Sequence, residues 1–253
     1  AEKMLSFLQT ISYKSNIVPL LNDSCFGSLP QLNEIFKYAE SLGLNWSSVK
    51  LNESGYRKWS YDDFETIMDV GKIGADYIPA HAHADTFNFE LYYNNQPIII
   101  DIGVSTYQNN SQRINERSTI YHNTISVDGK NSSEVWSSFR VGRRAKVKTL
   151  IDRDDLLKCI HDGYKKLCCY HTRTFSRSKN KFKIGDRLES KKKHKLYSNL
   201  HFHPDVELKI HNKYLILEGI KIKMVGYINP KLVEYNYPLG FNKYIKAIKL
   251  ISL

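Results

Sequence analysis

The sequence predicts a mainly β protein, an antiparallel β-sandwich preceded by a few α-helices. From about residue 60 onwards, short apolar segments alternate with turn signals such as Asp162-Gly163 and Asn229-Pro230. Many short strands at a spacing of roughly 8 to 12 residues indicate a sandwich or a barrel. The sequence has no fixed-period repeat, which argues against a propeller or a solenoid. The first 55 residues lack the strand pattern and show helical spacing instead.

The N-terminal part predicts two or three helices. Apolar residues at helical spacing indicate a first helix over 4–11. A second helix is predicted to begin at Leu29, with Ser28 as a possible N-cap, and to stop at Gly43. A further short helix is predicted near Trp46.

Predicted strands fill the rest of the chain. We therefore divide the sequence into a helical segment, residues 1–58, and a β-sandwich domain, residues 59–253. Glycine, proline, asparagine and aspartate separate the strands, as these residues favour turns. The predicted strands are 65–70, 76–78, 86–93, 97–102, 122–127, 144–150, 156–161, 167–175, 181–188, 196–202, 206–210, 214–217, 220–225, 232–237 and 244–251.

The composition is ordinary for a globular protein, but the charge is strongly positive. Of the 253 residues, 42% are hydrophobic and 25% charged, and the formal net charge is +11. No apolar run approaches the roughly 20 residues that span a bilayer, so no membrane partner is expected. A basic surface attracts polyanions such as acidic polysaccharides. The Lys and Arg residues of 140–148 are the better candidates for substrate contact, whereas those of 173–195 fit solvated strand edges.

One stretch, residues 79–129, concentrates residue types that bind metal ions. His81 and His83 alternate, so an extended backbone would point both side chains to one face. Asp101 ends a predicted strand, and His122 begins another. Imidazole and carboxylate groups at strand ends suit a divalent metal ion, with zinc as the first candidate. Spacing alone leaves an equal alternative, in which these residues are polar positions on a solvated strand and a turn.

The same stretch resembles the signature of the heparinase II/III-like polysaccharide lyases. That signature begins with His-x-His-x-Asp, which is followed directly by Ser or Thr and then Phe. An apolar strand that ends in Asp-x-Gly comes next, and a Tyr follows shortly after it. The signature closes with Arg-x-Thr and with His-Asn-Thr before Val-Asp-Gly. The matching residues here are 81–87, 100–103, Tyr107, 117–119 and 122–129. One departure is Ala80, where the family usually has Gly.

The resemblance implies an enzyme and a metal ion. It implies a lyase that cleaves uronic-acid-containing acidic polysaccharides by β-elimination. It also implies a structural Zn²⁺ in the β-sandwich, whose ligands match His83, Asp101 and His122 in this sequence.

The resemblance also implies catalytic and substrate-binding residues. His81 matches the histidine that contacts substrate and assists proton transfer in the family. Tyr107 matches the tyrosine after Asp-x-Gly, and we expect a substrate contact or a proton-transfer role. Arg117 is a candidate for binding a substrate carboxylate through two parallel hydrogen bonds. Its alternative is an internal salt bridge to Glu116 or Asp101.

The resemblance further implies that the chain is one part of a longer enzyme. In the family an α/α toroid precedes the β-sandwich and supplies further catalytic residues, and residues 1–58 look like the end of such a toroid. The expected partners are therefore an acidic polysaccharide and this N-terminal toroid. We expect weak or no lyase activity from the chain alone, and a periplasmic or secreted location.

Two other functions remain open from the sequence. A non-catalytic carbohydrate-binding or scaffolding β-sandwich would fit the missing toroid. A nucleic-acid-binding domain is supported by charge alone and leaves the motif unexplained, so nucleic acid is not an expected partner. The second alternating pair, His201 and His203, lacks matching partners downstream and is not expected to bind metal. Most other histidines are expected at the surface or in satisfied core positions.

Overall fold

Antiparallel strands form most of the molecule, which confirms the prediction of a mainly β fold. The computed structural model describes residues 1–27 and 30–253. The helices are α1 (Glu2–Ile11), α2 (Leu32–Ser41) and α3 (Ser111–Glu116), with short 3-10 helices at Asn52–Ser54, Thr119–Tyr121 and Lys165–Leu167. The strands are β1 (Tyr56–Tyr61), β2 (Phe64–Asp69), β3 (Phe89–Tyr93), β4 (Gln96–Ile99), β5 (Ile125–Val127), β6 (Val135–Trp136), β7 (Arg140–Val141), β8 (Val147–Arg153), β9 (Leu156–His161), β10 (Cys169–Ser178), β11 (Lys181–Ser190), β12 (Leu196–His201), β13 (Lys209–His211), β14 (Tyr214–Leu217), β15 (Ile220–Lys223), β16 (Lys231–Gly240) and β17 (Lys243–Ser252).

The strands pair into three four-stranded sheets and two smaller ones. The strand orders are β1-β2-β3-β4, β11-β10-β9-β8, β16-β17-β12-β5, β13-β14-β15 and β6-β7. The first and third sheets meet just after β4, where the backbone N–H of Ile100 donates to the carbonyl of His201 at 3.0 Å. This junction brings the residues that follow β4 next to the segment that leads into β5.

The main core is shared by four of the sheets. Strand β9 shows the alternation of a half-buried strand, with Leu157, Cys159 and His161 turned inward. Facing sheets that interdigitate alternate side chains are the packing of a β-sandwich. The cluster includes Phe89 and Leu91 of β3, Leu157 of β9, Phe175 of β10, Leu200 of β12 and Leu215 of β14.

The N-terminal segment packs against the first and third sheets. The buried carboxylate of Glu90 in β3 accepts hydrogen bonds from the Tyr13 hydroxyl and from the Leu20 backbone N–H, both at 2.9 Å. Tyr13 also stacks on Tyr92, with ring centroids 3.7 Å apart. Burial raises the pKa of Glu90 to about 8. This contact fixes the turn at 21–25 that follows Leu20, and that turn contributes to the site described below.

The N-terminal helices differ in detail from the prediction. The predicted N-cap Ser28 and the predicted start at Leu29 lie outside the described residues. Helix α2 has Gln31 as its N-cap, and a reciprocal hydrogen bond to Glu34 completes a capping box. The short helix predicted near Trp46 is wrong, because residues 44–51, all described, contain no helix or strand. The Trp46 ring instead stacks on Phe36, with centroids 5.2 Å apart.

The strands around the motif are shorter than predicted. The strand predicted at 76–78 is wrong, since these described residues form bends and loop. Strand β3 begins at Phe89 because Phe87 has a φ of 70°, which no strand residue adopts. Strand β4 ends at Ile99, so Asp101 lies just beyond it. The short hairpin β6-β7 and helix α3 were not predicted, because neither is long enough to show a periodic pattern.

No helix among residues 1–27 and 30–253 is long and apolar enough to cross a membrane.

Candidate functional site

The two motif histidines meet at a carboxylate from the N-terminal segment. His81 Nδ1 lies 2.7 Å from Asp23 Oδ2, and His83 Nε2 lies 2.8 Å from Asp23 Oδ1. The side chain of Asp23 is 6% exposed, that of His81 is 61% exposed and that of His83 is fully buried. The prediction that both histidines share one direction therefore holds, although a turn rather than a strand produces it.

A buried arginine completes this cluster. Arg113, in α3, donates from Nη2 to Asp23 Oδ2 at 2.9 Å and from Nη1 to Asp23 Oδ1. Its Nε donates to the Ser138 carbonyl at 3.0 Å. Burial alone would raise the pKa of Asp23, but the hydrogen bonds from His83 and Arg113 outweigh it and hold that pKa well below its usual range. Asp23 is therefore a permanent anion at neutral pH.

The hydrogen bond to Asp23 determines the tautomer of His83. A carboxylate can only accept, so Nε2 of His83 carries the proton and Nδ1 carries the lone pair. Burial lowers the pKa of His83 to about 4, which keeps the ring neutral. Within the described part of the chain, the buried Nδ1 atom has no hydrogen-bond partner. A neutral imidazole oriented by a carboxylate through its other nitrogen is the usual form of a histidine that binds metal.

The second half of the site joins Asp101 to His122. Both side chains are fully buried, and His122 Nδ1 lies 3.0 Å from Asp101 Oδ2. Asp101 also accepts from the backbone N–H of Ile102 at 2.6 Å and of Gly103 at 3.2 Å. The other ring nitrogen of His122, Nε2, has no partner among the described residues. Burial lowers the pKa of His122, but the nearby Asp101, Asp85 and Asp69 raise it by more, so the pKa of His122 lies above its ordinary value.

The glycine of Asp-x-Gly is required by a close approach of the backbone. Gly103 has a φ of 57°, and a Cβ atom at this position would lie 2.2 Å from the Ser24 carbonyl oxygen. The backbone N–H of Val104 donates to the same carbonyl at 3.0 Å. This contact docks the turn that carries Asp23 onto the segment that carries Asp101.

The donor chemistry of this cluster fits a metal ion, although the side chains do not converge on one point. The rings of His83 and His122 lie 5.3 Å apart between centroids, and each has an unpartnered buried nitrogen. Asp85 Oδ2 is also buried and without a partner in the described residues. As placed, however, no three His, Cys, Asp or Glu side chains of residues 1–27 and 30–253 form a group that could hold a metal ion.

His81 and Tyr107 lie together at the edge of the cluster, among exposed aromatic rings. The centroid of Tyr107 is 5.9 Å from that of His81, and Phe139 lies 5.7 Å from His81. Tyr107 also packs against Phe241 at 5.1 Å, and the Arg113 guanidinium lies 5.2 Å from the Tyr107 ring. Partial burial and the charge of Asp23 raise the pKa of Tyr107, so the phenol is protonated at neutral pH.

A cleft of about 580 Å³ opens beside His81. Basic side chains contribute to its walls, and Glu53 is an acidic residue in the same lining. The basic side chains are Arg57 and Lys72, and His81 lines the same cleft. The exposed imidazole of His81 therefore faces a space of the size that small ligands or sugar units occupy in proteins.

The sequence of residues 44–223 matches the family described as Heparinase II/III-like, C-terminal. This match covers more than half of the chain. The chain belongs to the heparinase II/III-like family.

Solved structures of heparinases share the fold. The chain is 17% identical to a heparinase III, the BT4657 gene product, with a TM-score of 0.75 over 99% of this chain and 43% of that one. It is 17% identical to the heparan sulfate lyase HepC from Pedobacter heparinus, with a TM-score of 0.71 over 99% of this chain and 43% of that one. A further heparinase III gives 16% identity and a TM-score of 0.68, over 99% of this chain and 44% of that one. No curated protein matches the sequence.

The match covers less than half of each heparinase structure. The chain spans about 43% of the length of the first heparinase III that it matches. The heparinase II/III-like chain described here therefore corresponds in fold to under half of each of those proteins.

In this heparinase II/III-like chain, Arg117 is a structural clamp. It is 1% exposed. Its guanidinium donates to the Ala82 carbonyl at 3.0 Å and to the carbonyls of Trp136 and Ser137 at 3.3 and 3.1 Å. In the described part of the structure it pairs with neither Glu116 nor Asp101. These bonds hold the His-x-His turn in place, and they disfavour a contact between Arg117 and substrate, which stays an untested prediction.

The asparagine of His-Asn-Thr is likewise structural. Asn123 donates to the carbonyls of Phe89 and Ile100, both at 2.9 Å, and accepts from the His201 backbone N–H at 2.7 Å. It therefore joins β3, the end of β4 and β12 directly beside His122. The motif as a whole contains both the candidate site and the bonds that position it.

The remaining histidines occupy mixed positions. His201 is buried against Tyr235, with ring centroids 5.0 Å apart, but its Nε2 has no hydrogen-bond partner among the described residues, so it is not a satisfied core position. His203 lies beside Asp205. His194 pairs with Asp128 at 2.7 Å.

Asp23 and Arg113 were missed by sequence reasoning. Asp23 lies 58 residues before His81, and no spacing rule connects the two. Arg113 precedes Arg117 by one helical turn, which was the one signal available.

Proposed function

We propose that this chain is the C-terminal part of a polysaccharide lyase that cleaves uronic-acid-containing acidic polysaccharides by β-elimination. The observation that carries this proposal is the placement of His81, exposed yet fixed by Asp23, beside Tyr107 and a cleft with basic walls. Family membership supports the reaction class, and the names of the matched structures, heparinase III and heparan sulfate lyase, support an acidic substrate.

We assign two of the groups that β-elimination needs to His81 and Tyr107. A base must remove the proton at C5 of the uronate, and an acid must protonate the leaving glycosidic oxygen. Asp23 accepts from His81 Nδ1, which leaves Nε2 of His81 with a lone pair that can accept a proton. Tyr107 is a neutral phenol at working pH, because its pKa is raised, and it can donate a proton. Both residues act together in this proposal.

The third requirement is neutralisation of the uronate carboxylate. We assign this step to groups outside the chain, in an N-terminal α/α toroid of which residues 1–58 form the last part. The 43% coverage of the first matched heparinase supports a longer parent protein. The chain alone then has weak or no lyase activity, and strong turnover by it would contradict this assignment.

We also propose that His83, Asp101 and His122 bind a structural Zn²⁺. The unpartnered ring nitrogens of both histidines and the excess of buried carboxylates near His122 support it. When bound, the ion would link the His-x-His turn to the His-Asn-Thr segment and balance the buried negative charge. His81 lies next to this link, so its position would depend on the ion.

Elemental analysis of the purified chain tests the metal proposal. We expect about one zinc per chain in the wild type, as a tetrahedral site holds one ion, and none in His83→Ala. His171→Ala is the matched control, since His171 is equally buried but has both ring nitrogens bonded. A wild-type chain without metal, or equal zinc in wild type and His83→Ala, would contradict the site.

Turnover by the longer parent enzyme tests the lyase proposal. Its product carries an unsaturated uronate, whose conjugated double bond absorbs ultraviolet light, and we expect His81→Ala to abolish this signal. The second candidate function is a non-catalytic carbohydrate-binding sandwich, favoured by the burial of Arg117, whose guanidinium is bonded to backbone carbonyls. A parent that binds the polymer and releases no unsaturated product would establish this second function instead.

A polysaccharide is too large to cross a bilayer unaided, so we expect the enzyme to meet it in the periplasm or outside the cell. We therefore propose a periplasmic or secreted location for the parent protein.

A further inference from the structure

A second cleft lies beside the hairpin β6-β7. Its volume is about 480 Å³, within the range of ligand-binding pockets. Trp136, at the end of β6, is 51% exposed and lines this cleft. A Cβ atom on Gly142 would lie 3.1 Å from Trp136 Cζ3, so the absence of a side chain at Gly142 makes room for the indole. The indole thus rests against the hairpin backbone while about half of its surface faces solvent.

The rim of this cleft is basic. Lys130, Arg143 and Lys166 line it, with Glu134 as the acidic residue among them. Glu134 accepts from Lys166 Nζ at 2.5 Å and lies 3.8 Å from Arg143 Nε. The Lys166–Glu134 pair is solvent-exposed, and such pairs contribute little stability, so Lys166 can turn toward an anionic ligand. The side chains lining the cleft carry a net positive charge.

The hairpin connects this cleft to the His81 site. The carbonyls of Trp136 and Ser137 accept from Arg117, which clamps the His-x-His turn. The Ser138 carbonyl accepts from Arg113, and the Phe139 ring lies 5.7 Å from His81. One short hairpin therefore contributes Trp136 to the second cleft and places Phe139 against His81, with two buried arginines bonded to its backbone.

We propose that the cleft at Trp136 is a second carbohydrate-binding site that takes an anionic pyranose residue. The apolar face of the sugar lies on the indole, and Lys130, Arg143 and Lys166 contact its carboxylate or sulfate groups. That the bound sugar belongs to the polymer cleaved at His81 rests on the proposed lyase function. Binding of the sugar in the Trp136 cleft does not depend on that function.

The alternative ligand of a basic aromatic cleft is a single-stranded nucleic acid. Such sites stack successive bases on several aromatic faces along a groove. Here Trp136 is the exposed aromatic residue of the lining, and Tyr164, the other aromatic residue in the described lining, is 2% exposed. A single face with a surrounding group of cations matches one charged sugar ring better than a strand of bases.

Nuclear magnetic resonance tests the site directly, since the chain has three tryptophans with separate indole N–H signals. The probe is a sulfated, uronate-containing tetrasaccharide, and a neutral glucose tetrasaccharide is its control. We expect the Trp136 signal, assigned with Trp136→Phe, to shift on titration with the acidic sugar. The signals of Trp46 and Trp59 should stay in place. The neutral sugar should cause little shift at the same concentration.

Variants measure the contribution of each part. Trp136→Ala should weaken binding of the tetrasaccharide at least about tenfold, equivalent to about 1.4 kcal/mol. Trp136→Phe, which keeps an aromatic face, should lose less. Tyr38→Ala is the matched control, because Tyr38 is an exposed aromatic residue on α2 outside both clefts. Lys130→Gln combined with Lys166→Gln should weaken binding and reduce its dependence on salt.

Three results would overturn the site. They are a Trp136 signal that does not move with the acidic tetrasaccharide, equal affinity of wild type and a folded Trp136→Ala, and tighter binding of a single-stranded oligonucleotide than of the sugar. The lyase proposal fails separately, through the absence of unsaturated product from the parent enzyme. That failure would leave the titration of Trp136 unchanged.

Discussion

Two polar clusters in this molecule contain nearly the same residue types but differ in how many of their polar atoms are hydrogen-bonded. The first, called here the Asp23 cluster, consists of Asp23, His81, His83 and Arg113. The second, the Asp186 cluster, consists of Asp186, His161, His171 and Arg173. Each has two histidines, one carboxylate and an arginine that binds the carboxylate through two nitrogens.

In the Asp186 cluster every ring nitrogen has a partner. The backbone N–H of Gly163 donates to His161 Nδ1 at 2.9 Å, so His161 Nε2 donates to His171 Nδ1 at 3.0 Å. His171 Nε2 then donates to Asp186 at 2.7 Å. The Arg173 guanidinium uses its remaining nitrogen for the carbonyls of Phe87 and Asn123. This order of donors and acceptors leaves no proton or lone pair on the rings for a ligand.

The Asp23 cluster is incomplete in the described structure and reaches the surface. His83 Nδ1 is buried without a partner among residues 1–27 and 30–253, and His81 is exposed beside a cleft. Buried polar atoms are nearly always bonded, so an unbonded one calls for an explanation such as an ion. Composition alone therefore does not separate a structural histidine cluster from a functional one, and the difference lies in the unsatisfied atoms.

The largest effect that sharpens this comparison is expected from Arg173→Ala. It removes the partner of Asp186, whose side chain is 20% exposed, and leaves two buried carbonyls unbonded, so the free energy of unfolding should fall by about 2–3 kcal/mol. Denaturant unfolding measures it. Arg187→Ala is the control, since its side chain is 78% exposed, and it should change stability by less than about 0.5 kcal/mol. Equal stability of Arg173→Ala and wild type would show that the Asp186 cluster is not structural.

The next effect separates the two carboxylates by metal affinity. Asp23→Asn keeps the shape of the side chain but removes the charge that orients His83, so zinc affinity should fall about 10–100-fold. Asp186→Asn should destabilise the fold and leave zinc affinity unchanged. Competition with a chelator at neutral pH measures both variants. The comparison breaks if Asp186→Asn weakens zinc binding as much as Asp23→Asn does.

The sequence was sufficient for the fold class and for the order of motif residues. The alternation of His81 and His83 indicated their common direction, and two-residue periodicity located most strands after residue 140. It could not find Asp23, because the contact between Asp23 and the histidines depends on the docking of the N-terminal segment on Glu90. The role of Arg117 was equally hidden, since a guanidinium bonded to backbone carbonyls has the same sequence signal as one that meets a substrate.

Local pattern failed where the backbone departs from regular geometry. Phe87 and Gly103 have positive φ values of 70° and 57°, and between them they shorten β3 and turn the chain after β4. The hairpin β6-β7 has only two residues in each strand, too few for any periodicity, although it lines the Trp136 cleft and contacts His81. The functional part of the molecule is thus the part with the least regular sequence pattern.

The smallest expected effect concerns the pH dependence of the Asp186 cluster. Burial lowers the pKa of His161 and His171 below the ordinary value, so the folded protein binds fewer protons than the unfolded chain once the pH falls below about 6.5. Stability contributed by the neutral rings is therefore present above that pH and is lost as the pH falls. In His171→Gln one such group is absent, and the slope of unfolding free energy between pH 6.5 and 5 should be smaller by up to about 1.4 kcal/mol per pH unit. Denaturant titrations at several pH values measure the slope, with the exposed His211→Gln as control. A slope equal to that of wild type would mean that His171 takes up a proton within the folded protein, and the donor order of the Asp186 cluster would then be wrong.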